Sequence, residues 1–195
     1  MRLRPTILVL AAGQGRRFEG DRHKLEQPLP GGTVLGTTLR HALETRLPVV
    51  VVTTARLAPL VADQLALRDT VVLSDDEAAR GMGHTLAVGV AERAASDGWL
   101  VLPGDMPMVR PQTMLVVANA LDPHAIAFAQ HRGRRGHPVG FAAELYSELT
   151  ALGGDEGARR LLARYPAWAC EVDDPGVLVD VDTVADLEAV RAAGS

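Results

Sequence analysis

The stretch Thr6–Lys24, TILVLAAGQGRRFEGDRHK, decides the fold that this sequence predicts. It begins with a short apolar run, Ile7 to Leu10, that contains two β-branched residues. Such a run is typical of a strand that is buried on both faces. The character then changes abruptly to small residues from Ala11 to Gly15, and basic residues follow. The stretch therefore predicts a buried first strand that ends in a flexible loop.

The loop after this strand combines features that suit a phosphate group. Small residues let backbone N–H groups approach an anion closely, and Arg16, Arg17 and Lys24 add positive charge. A phosphate-binding loop is our prediction, and an ordinary β-to-α turn with surface arginines is the alternative. Two familiar phosphate loops are excluded, because Phe18 stands where a dinucleotide fingerprint needs glycine and Leu25 follows the lysine where a Walker loop needs Ser or Thr.

Length and composition limit the class of protein. The 195 residues, 47% of them apolar, predict a single domain over 1–195 with a substantial core. A net charge of −4 gives no support for nucleic-acid binding, and no stretch approaches membrane-spanning length. Cys170, the single cysteine, cannot form an internal disulfide, and the N-terminus lacks a signal-peptide pattern. We therefore expect a cytoplasmic protein.

Apolar runs and apolar residues at helical spacing alternate along the chain. Strands are predicted over 7–10, 49–52, 71–73, 99–102, 125–129, 137–141, 167–172 and 177–181. Helices are predicted over 35–46, 57–67, from the 81–85 segment to about 95, and over 111–121, 143–152, 155–165 and 183–192. Asp155 is the predicted N-cap of the helix 155–165, and Thr183 and Asp186 are spaced like a capping box at the start of the last helix. This order predicts an α/β fold of three layers, α/β/α, around a mostly parallel sheet.

Asp105 is the first candidate for metal binding. It follows the strand predicted over 99–102, in the run Pro-Gly-Asp-Met-Pro at 103–107. Open α/β sheets bind ligands at the carboxyl ends of their strands, and Mg²⁺ prefers oxygen ligands such as carboxylates. The alternative is a turn aspartate that caps the helix beginning near Pro111.

Asp180 and Asp182 are the second candidates. They lie two residues apart in the run Val-Asp-Val-Asp-Thr at 179–183, so on an extended segment their side chains share a face. Carboxylates that share a face suit a cation of the kind that Asp105 would bind. A helix cap at Asp182 or Thr183 is the alternative.

Six segments, taken in order, resemble the motifs of MobA-like nucleotidyltransferases. The first stretch resembles the signature L-A-A/G-G-x-G/S-x-R-x-G followed by lysine, although Glu19 stands before Gly20 where relatives carry glycine. The other five segments resemble G-M-G-x-S, L-x-G-D-x-P, R-G-x/H-P-V-x-F, G-D-x-G-A-R and D-I-D-T-P-E-D-L, beginning at 81, 102, 135, 154 and 180, with Val184 and Ala185 replacing the Pro-Glu of the last. Within the superfamily, the chain resembles most the molybdenum cofactor cytidylyltransferases.

The resemblance implies a Rossmann-like nucleotidyltransferase fold of the nucleotide-diphospho-sugar transferase type. It implies transfer of CMP from CTP to a phosphorylated molybdopterin, with Mg²⁺ or alternatively Mn²⁺ as cofactor. A molybdenum enzyme or its maturation chaperone is the implied protein partner. The alternatives are a guanylyltransferase that uses GTP, a transferase with another phosphorylated acceptor, and a nucleotide-binding accessory protein of molybdenum hydroxylase maturation. An oxidoreductase on the same fold is disfavoured by the lack of a dinucleotide fingerprint.

The resemblance also assigns roles to residues of this chain. The implied catalytic residues are Arg17, Lys24 and Asp105, and the implied metal ligands are Asp105 and Asp182, with Asp180 in reserve. The implied nucleotide-binding residues are Leu10, Ala11, Ala12, Gly13, Gly15, Lys24, Gly81, Met82, Gly83, Thr85 and Gly104. The implied acceptor-binding residues are Arg135, His137, Pro138, Asp155 and Arg159. The position of Ala12 tends to be alanine in cytidylyltransferases and glycine in guanylyltransferases, which implies that CTP is the preferred nucleotide.

Overall fold

The structure, a computed structural model, describes residues 3–15, 18–19, 22–155 and 157–193. Its strands are β1 (Thr6–Ala11), β2 (Pro28–Leu29), β3 (Gly32–Thr33), β4 (Val49–Thr54), β5 (Thr70–Leu73), β6 (Gly98–Pro103), β7 (Ile126–His131), β8 (Arg134–Ala142) and β9 (Ala167–Glu171). Seven of them form one sheet in the order β5-β4-β1-β6-β8-β7-β9, while β2 and β3 form a small antiparallel pair.

The helices alternate with these strands along the chain. They are α1 (Val34–Glu44), α2 (Asp75–Ala78), α3 (Met82–Glu92), α4 (Pro111–Ala120), α5 (Tyr146–Thr150), α6 (Arg159–Arg164) and α7 (Val184–Ala193). Short 3₁₀ helices span Lys24–Glu26, Ala58–Leu60, Leu67–Asp69, Ala143–Leu145 and Pro175–Leu178. Within the described ranges, every helix is too short or too polar to cross a membrane.

The buried strand β1 lies at the centre of the sheet and pairs in parallel with β4 and β6. Its side chains alternate between two apolar clusters, because successive residues of a strand point to opposite faces. Ile7 and Val9 pack in the cluster that also holds residues of α1, α4 and α7, whereas Leu8 and Leu10 pack with residues of α3, α5 and α6. The predicted three-layer α/β fold with a mostly parallel sheet is therefore confirmed.

The exception to parallel pairing is β8, which runs antiparallel to both β6 and β7. The predicted returning strand is confirmed, but it begins earlier than expected. Arg135 and Gly136, which precede the predicted strand 137–141, are already in β8. The turn is confined to Arg132 and Gly133, whose φ angles of 50° and 75° lie in the left-handed region.

Two sequence predictions of regular structure are wrong, because they depended on packing that the fold does not supply. The segment 57–67 is a succession of turns with one 3₁₀ helix, in which Leu57 and Val61 reach the core. A helix gains most of its stability from a packed face, and two buried side chains provide little. The segment 177–181 is not a strand, since its N–H groups bond to the preceding turn and to Asp105 instead of to a neighbouring strand.

Two smaller expectations are also corrected. The acidic stretch 74–80, where the sequence pattern predicted no helix or strand, contains α2, which Ser74 caps through a reciprocal hydrogen-bonded box with Glu77. The helix predicted from Asp155 begins only at Arg159, and Asp155 does not cap it. Gly154 and Gly157 adopt left-handed conformations, with φ angles of 66° and 52°. A right-handed helix therefore cannot begin before Arg159.

Candidate active site

A cleft of about 950 Å³ opens at the carboxyl edge of the central strands. Strands β1 and β6 end side by side there, with Leu10 paired with Pro103. The N–H group of Gly104 donates to the carbonyl of Leu10 over 2.8 Å and continues the contact beyond the strand. The loops that follow both strands therefore face the same cleft.

Close packing around Gly104 fixes the position of Asp105. A Cβ atom at Gly104 would lie 3.1 Å from both the carbonyl oxygen of Leu10 and a methyl group of Leu35. The hydroxyl group of Thr38 donates to the Gly104 carbonyl over 2.9 Å. The backbone next to Asp105 is thus held between β1 and α1, so its carboxylate has a defined place at the mouth of the cleft.

The alternative role of Asp105 as a helix cap is wrong. Asp174, not Asp105, lies at the N-terminus of α4. Its carboxylate accepts hydrogen bonds from the N–H of Arg110 over 2.9 Å and the hydroxyl of Thr113 over 2.6 Å. Asp174 also accepts from the N–H of Gly176 over 3.0 Å and is only 2% exposed. Asp174 therefore ties α4 to the segment that leads to Asp180 and Asp182.

The C-terminal segment brings a second pair of carboxylates to Asp105. The N–H of Val181 donates to the Asp105 carbonyl over 2.9 Å. At the start of α7, Thr183 donates from its N–H to Asp186 over 2.7 Å, and the N–H of Asp186 donates to the Thr183 hydroxyl over 3.2 Å. The predicted capping box is confirmed. Because Thr183 and Asp186 make that box, the carboxylate of Asp182 is left to face the cleft.

Lys24 joins these carboxylates. Its Nζ donates to Oδ2 of Asp105 over 2.5 Å and to Oδ1 of Asp182 over 2.6 Å. The three side chains are only 13%, 16% and 18% exposed. A surface position for the one lysine of the chain is therefore excluded. Partial burial alone would lower the pKa of Lys24, but attraction by Asp105 and Asp182 outweighs it and raises the pKa, so the ammonium stays charged.

The carboxylates fit a hard divalent cation. One oxygen from each of Asp105, Asp180 and Asp182 lies within 4.8 Å of the others. Burial, and then repulsion from the other two carboxylates, raises the pKa of Asp180, as expected where like charges meet without a sufficient countercharge. Within the described part of the chain, Oδ1 of Asp105 is buried and has no hydrogen-bond partner. All the donors are oxygen atoms, the type that Mg²⁺ and Mn²⁺ prefer.

His23 is a site residue that the sequence analysis missed. Its Nδ1 accepts from the N–H of Leu25 over 3.2 Å, so the ring proton lies on Nε2, which donates to the carbonyl of Gly13 over 2.9 Å. A Cβ atom at Gly15 would lie 2.9 Å from the same Nε2. His23 thus holds the small-residue loop against the 3₁₀ helix that carries Lys24. The available signal was Glu26, three residues after His23, because that spacing is typical of a capping box.

We expect replacement of His23 by asparagine to flatten the acid dependence of stability. Burial lowers the pKa of His23 below 6.5, and repulsion from Arg56 and Lys24 adds to this shift. The hydrogen bond to the Gly13 carbonyl and attraction by Glu26 oppose the shift without cancelling it. The unfolded chain therefore binds this proton more readily. The stabilisation by neutral His23 is complete above pH 6.5 and is lost as the pH falls through the lowered folded pKa. Asparagine can cap a helix but does not titrate. Between about pH 7.5 and 5, the free energy of unfolding measured with urea should therefore fall less for His23→Asn than for the wild type. An equal fall in both proteins would show that neutral His23 does not stabilise the fold.

Most residues that the sequence assigned to the site line the cleft. They are Leu10, Ala11, Ala12, Gly13, Gly15, Lys24, Gly81, Met82, Thr85, Asp105, Arg135, His137, Asp155, Arg159, Asp180 and Asp182. Gly83, Gly104 and Pro138 are buried and do not line it. Arg17 lies outside the described residues.

The segment assigned to the nucleotide contacts the segment assigned to the acceptor. The N–H of Gly83 donates to the Gly154 carbonyl over 2.8 Å. A Cβ atom at Gly83 would lie 2.7 Å from the carbonyl oxygen of Gly153, and one at Gly81 would lie 2.5 Å from Oδ1 of Asp155. Glycines at these two positions therefore let the start of α3 pack directly against the loop before α6.

The opposite wall carries Arg135 and His137 on β8. The guanidinium of Arg135 lies 5.9 Å from the centre of the Phe128 ring, a distance that permits a cation–π contact. Burial lowers the pKa of His137, Asp105 opposes this shift, and Arg135 adds to it, so His137 is neutral at pH 7. This wall therefore offers one cation and one uncharged imidazole.

The chain is similar over nearly its whole length to solved structures with this fold. Rv0371c from Mycobacterium tuberculosis matches with a TM-score of 0.82 and 29% identity over 97% of this chain and 98% of that chain. A second Rv0371c structure, a complex with manganese, matches with a TM-score of 0.80 and 28% identity over 97% and 99%. A nucleotidyl transferase from Methanothermobacter matches with a TM-score of 0.81 and 25% identity over 97% and 96%. The chain is a nucleotidyltransferase.

The model of the MobA-like NTP transferase domain matches residues 7–168. The purine catabolism protein PucB from Bacillus subtilis is 34% identical over 96% of this chain and 96% of its own length. The chain belongs to the MobA-like NTP transferase family, which confirms the resemblance seen in its motifs. Membership implies that a nucleoside triphosphate is a substrate.

Proposed function

We propose that this protein is a molybdenum cofactor cytidylyltransferase that transfers CMP from CTP to phosphorylated molybdopterin with Mg²⁺. Mn²⁺ is the alternative cation, since Rv0371c was solved as a complex with manganese. The observation that carries the proposal is the convergence of Lys24, Asp105 and Asp182 beside the small-residue loop, in a cleft of about 950 Å³. Ligand sites commonly have volumes of about 300–1,000 Å³, so this cleft lies at the upper end of that range.

In the proposed reaction, an oxygen of the acceptor phosphate attacks the α-phosphorus of CTP. A new P–O bond forms, the bond between the α-phosphorus and its bridging oxygen breaks, and pyrophosphate leaves. The protein contributes mainly positioning and charge stabilisation. When bound by Asp105 and Asp182, a divalent cation would supply positive charge against the phosphate oxygens.

The nucleotide would lie along the loop after β1. The backbone from Ala12 to Gly15 would approach the phosphates, and the ammonium of Lys24 would neutralise part of their charge. The start of α3, with Gly81 and Thr85, would lie beside the base and ribose. Gly81 has a φ of 93° and no side chain, so backbone groups stay accessible there.

The acceptor would lie on the other side of the carboxylates. Arg135 and Arg159 both line the cleft and are exposed cations that suit an anionic phosphate. The neutral His137 also lines the cleft and adds hydrogen-bonding capacity without charge repulsion. Asp155 is placed by its contact with Gly81, close to the proposed base site.

We expect CTP to be preferred over GTP by at least about tenfold in kcat/KM, and Ala12→Gly to reduce that preference. Ala12 lines the cleft directly after β1, and in this proposal its methyl group reduces the space for a purine. One methyl contact is worth about 1–3 kcal/mol of discrimination. The measurement is kcat/KM for CTP and GTP in both proteins with one acceptor. A wild-type protein that prefers GTP would contradict the choice of nucleotide, but not the transferase reaction.

Release of pyrophosphate tests the whole proposal. Purified protein, Mg²⁺, CTP and phosphorylated molybdopterin should yield pyrophosphate and a cytidylyl product, with less product when GTP replaces CTP. The matched control is acceptor from which the phosphate has been removed, because that acceptor lacks the attacking oxygen. Binding of CTP without any pyrophosphate release would favour an accessory protein instead. Release with a different phosphorylated acceptor only would keep the nucleotidyl transfer and overturn the acceptor.

A further inference from the structure

The ammonium of Lys24 is bonded to two of the carboxylates that would hold a metal ion. Nζ lies 2.5 Å from Oδ2 of Asp105 and 2.6 Å from Oδ1 of Asp182. Mg²⁺ binds carboxylate oxygens at about 2.0–2.1 Å. A cation bound by both of these oxygens would lie close to the ammonium, and the two positive charges would repel each other. Lys24 and a metal therefore disfavour each other at these two oxygens.

We propose that Lys24 competes with the metal for Asp105 and Asp182, and that the triphosphate removes the lysine from them. This inference rests on the metal site of the proposed function and adds an order of events to it. Without nucleotide, the ammonium serves as the countercharge of the two carboxylates. With nucleotide, the ammonium moves to the phosphate oxygens, and the metal takes the carboxylate oxygens.

The surroundings of Lys24 are suited to such an exchange. Its backbone is fixed, because His23 caps the 3₁₀ helix at Lys24–Glu26 and also bonds to Gly13. Its side chain is a flexible four-carbon stem with a compact charge at the end. The same residue lines the cleft with Gly13 and Gly15, beside the proposed triphosphate position. A rotation about the side-chain bonds therefore moves the charge between two anionic sites while the backbone stays in place.

The exchange couples metal binding to nucleotide binding. A metal ion that arrives alone must displace an ammonium, whereas one that arrives with the triphosphate does not. Coupling between two ligands is reciprocal, so the metal also strengthens nucleotide binding by the same factor. The free protein should thus bind divalent metal weakly, which avoids a bound metal without substrate.

The test measures Mn²⁺ binding without nucleotide, by calorimetry and by electron paramagnetic resonance. We expect Lys24→Met, which keeps the stem and removes the charge, to bind Mn²⁺ at least about tenfold more tightly than the wild type. Lys24→Arg retains a cation and should bind Mn²⁺ as weakly as the wild type. Arg22→Met is the matched control, because it removes a positive charge from an exposed side chain of the same segment. It should leave Mn²⁺ affinity within about twofold of the wild type.

A thermal measurement keeps the test informative if Lys24→Met is less stable. Two carboxylates that lose their countercharge repel each other, so we expect a lower melting temperature without metal. Mn²⁺ should raise the melting temperature of Lys24→Met more than that of the wild type, since a ligand stabilises the state to which it binds more tightly. Adding Asp182→Asn to Lys24→Met should cancel the gain in affinity, which assigns the gain to this cluster.

Three outcomes separate this inference from the proposed function. Tighter Mn²⁺ binding by Lys24→Met, with loss of the gain on adding Asp182→Asn, supports the exchange. If the wild type binds Mn²⁺ in the presence of CTP but Lys24→Met does not bind Mn²⁺ more tightly without CTP, the exchange is overturned and the metal site stands. If neither protein binds Mn²⁺ at this cluster with or without CTP, both the exchange and the proposed metal site are overturned.

Discussion

Asp105→Asn should lower kcat/KM for nucleotidyl transfer by about a thousandfold and leave the fold intact. The amide keeps the size of the side chain but removes the charge that faces Lys24 and would hold the cation. Loss of one group that stabilises developing charge in an active site commonly costs about 10²–10³-fold in rate. The backbone of Asp105 still bonds to Val181, and Gly104 still packs against β1, so the cleft should keep its shape.

The measurement is a pyrophosphate-release assay at saturating and limiting Mg²⁺, together with a melting curve. Asp63→Asn is the matched control, because it makes the same chemical change on an exposed side chain that does not line the cleft. The control should retain wild-type activity. Activity of Asp105→Asn within about tenfold of the wild type at limiting Mg²⁺ would remove Asp105 from the proposed metal site.

The position of Asp105 was predictable because it depends on local sequence and one general rule. An apolar run at 99–102 predicted a buried strand, and the Pro-Gly before Asp105 and the proline after it predicted a loop at its end. Parallel strands bring their carboxyl ends to one edge, so a polar residue there faces a ligand site. The same argument predicted the loop after β1. The side chains of β1 alternate between the two core clusters, as expected for a strand that is buried on both faces.

The ion pairs of Lys24 were not predictable from the sequence. The sequence showed one lysine in a basic loop, and we expected its charge to face phosphate. Its contacts with Asp105 and Asp182 join residues that are 81 and 158 positions apart. No local pattern encodes such a contact, because it depends on how the last segment crosses the edge of the sheet.

The strand predicted at 177–181 is wrong because the residue pattern favours a strand for which the fold offers no partner. The β-branched run at 177–181 favours a strand, but a strand also needs a free partner edge. In the structure Val177 and Val181 are buried beside other elements, and the N–H of Val181 bonds to Asp105. The β-branched pattern therefore predicted correctly that Val177 and Val181 are buried, but it predicted the wrong backbone conformation.

The role of Asp174 was missed for a related reason. The run Asp-Asp-Pro-Gly at 173–176 is typical of a turn, and the structure has a 3₁₀ helix at Pro175–Leu178. The hydrogen bond from Gly176 to Asp174 is local and could have been predicted from the Asp-x-Gly spacing. The bonds from Arg110 and Thr113, more than 60 positions away, could not.

Asp174→Ala should lower the free energy of unfolding by about 2–4 kcal/mol. A hydrogen bond to a charged group contributes about 1–3 kcal/mol, and a buried donor that is left without a partner costs a similar amount. The alanine removes one acceptor that serves the N–H groups of Arg110 and Gly176 and the hydroxyl of Thr113, in a place where Asp174 is only 2% exposed. Urea unfolding of the two proteins measures the difference. Asp174→Asn keeps one acceptor oxygen but loses the charge, so its stability should lie between those of the wild type and the alanine variant.

Asp173→Ala is the control for this prediction, because Asp173 is exposed and contributes only its backbone carbonyl, to the Arg110 guanidinium. Its free energy of unfolding should stay within about 0.5 kcal/mol of the wild-type value. Because Asp174 anchors the chain that leads to Asp180 and Asp182, Asp174→Ala should also weaken Mn²⁺ binding measured with CTP, below its unfolding temperature. Equal stability of the two alanine variants would show that Asp174 does not anchor the segment that carries the carboxylates.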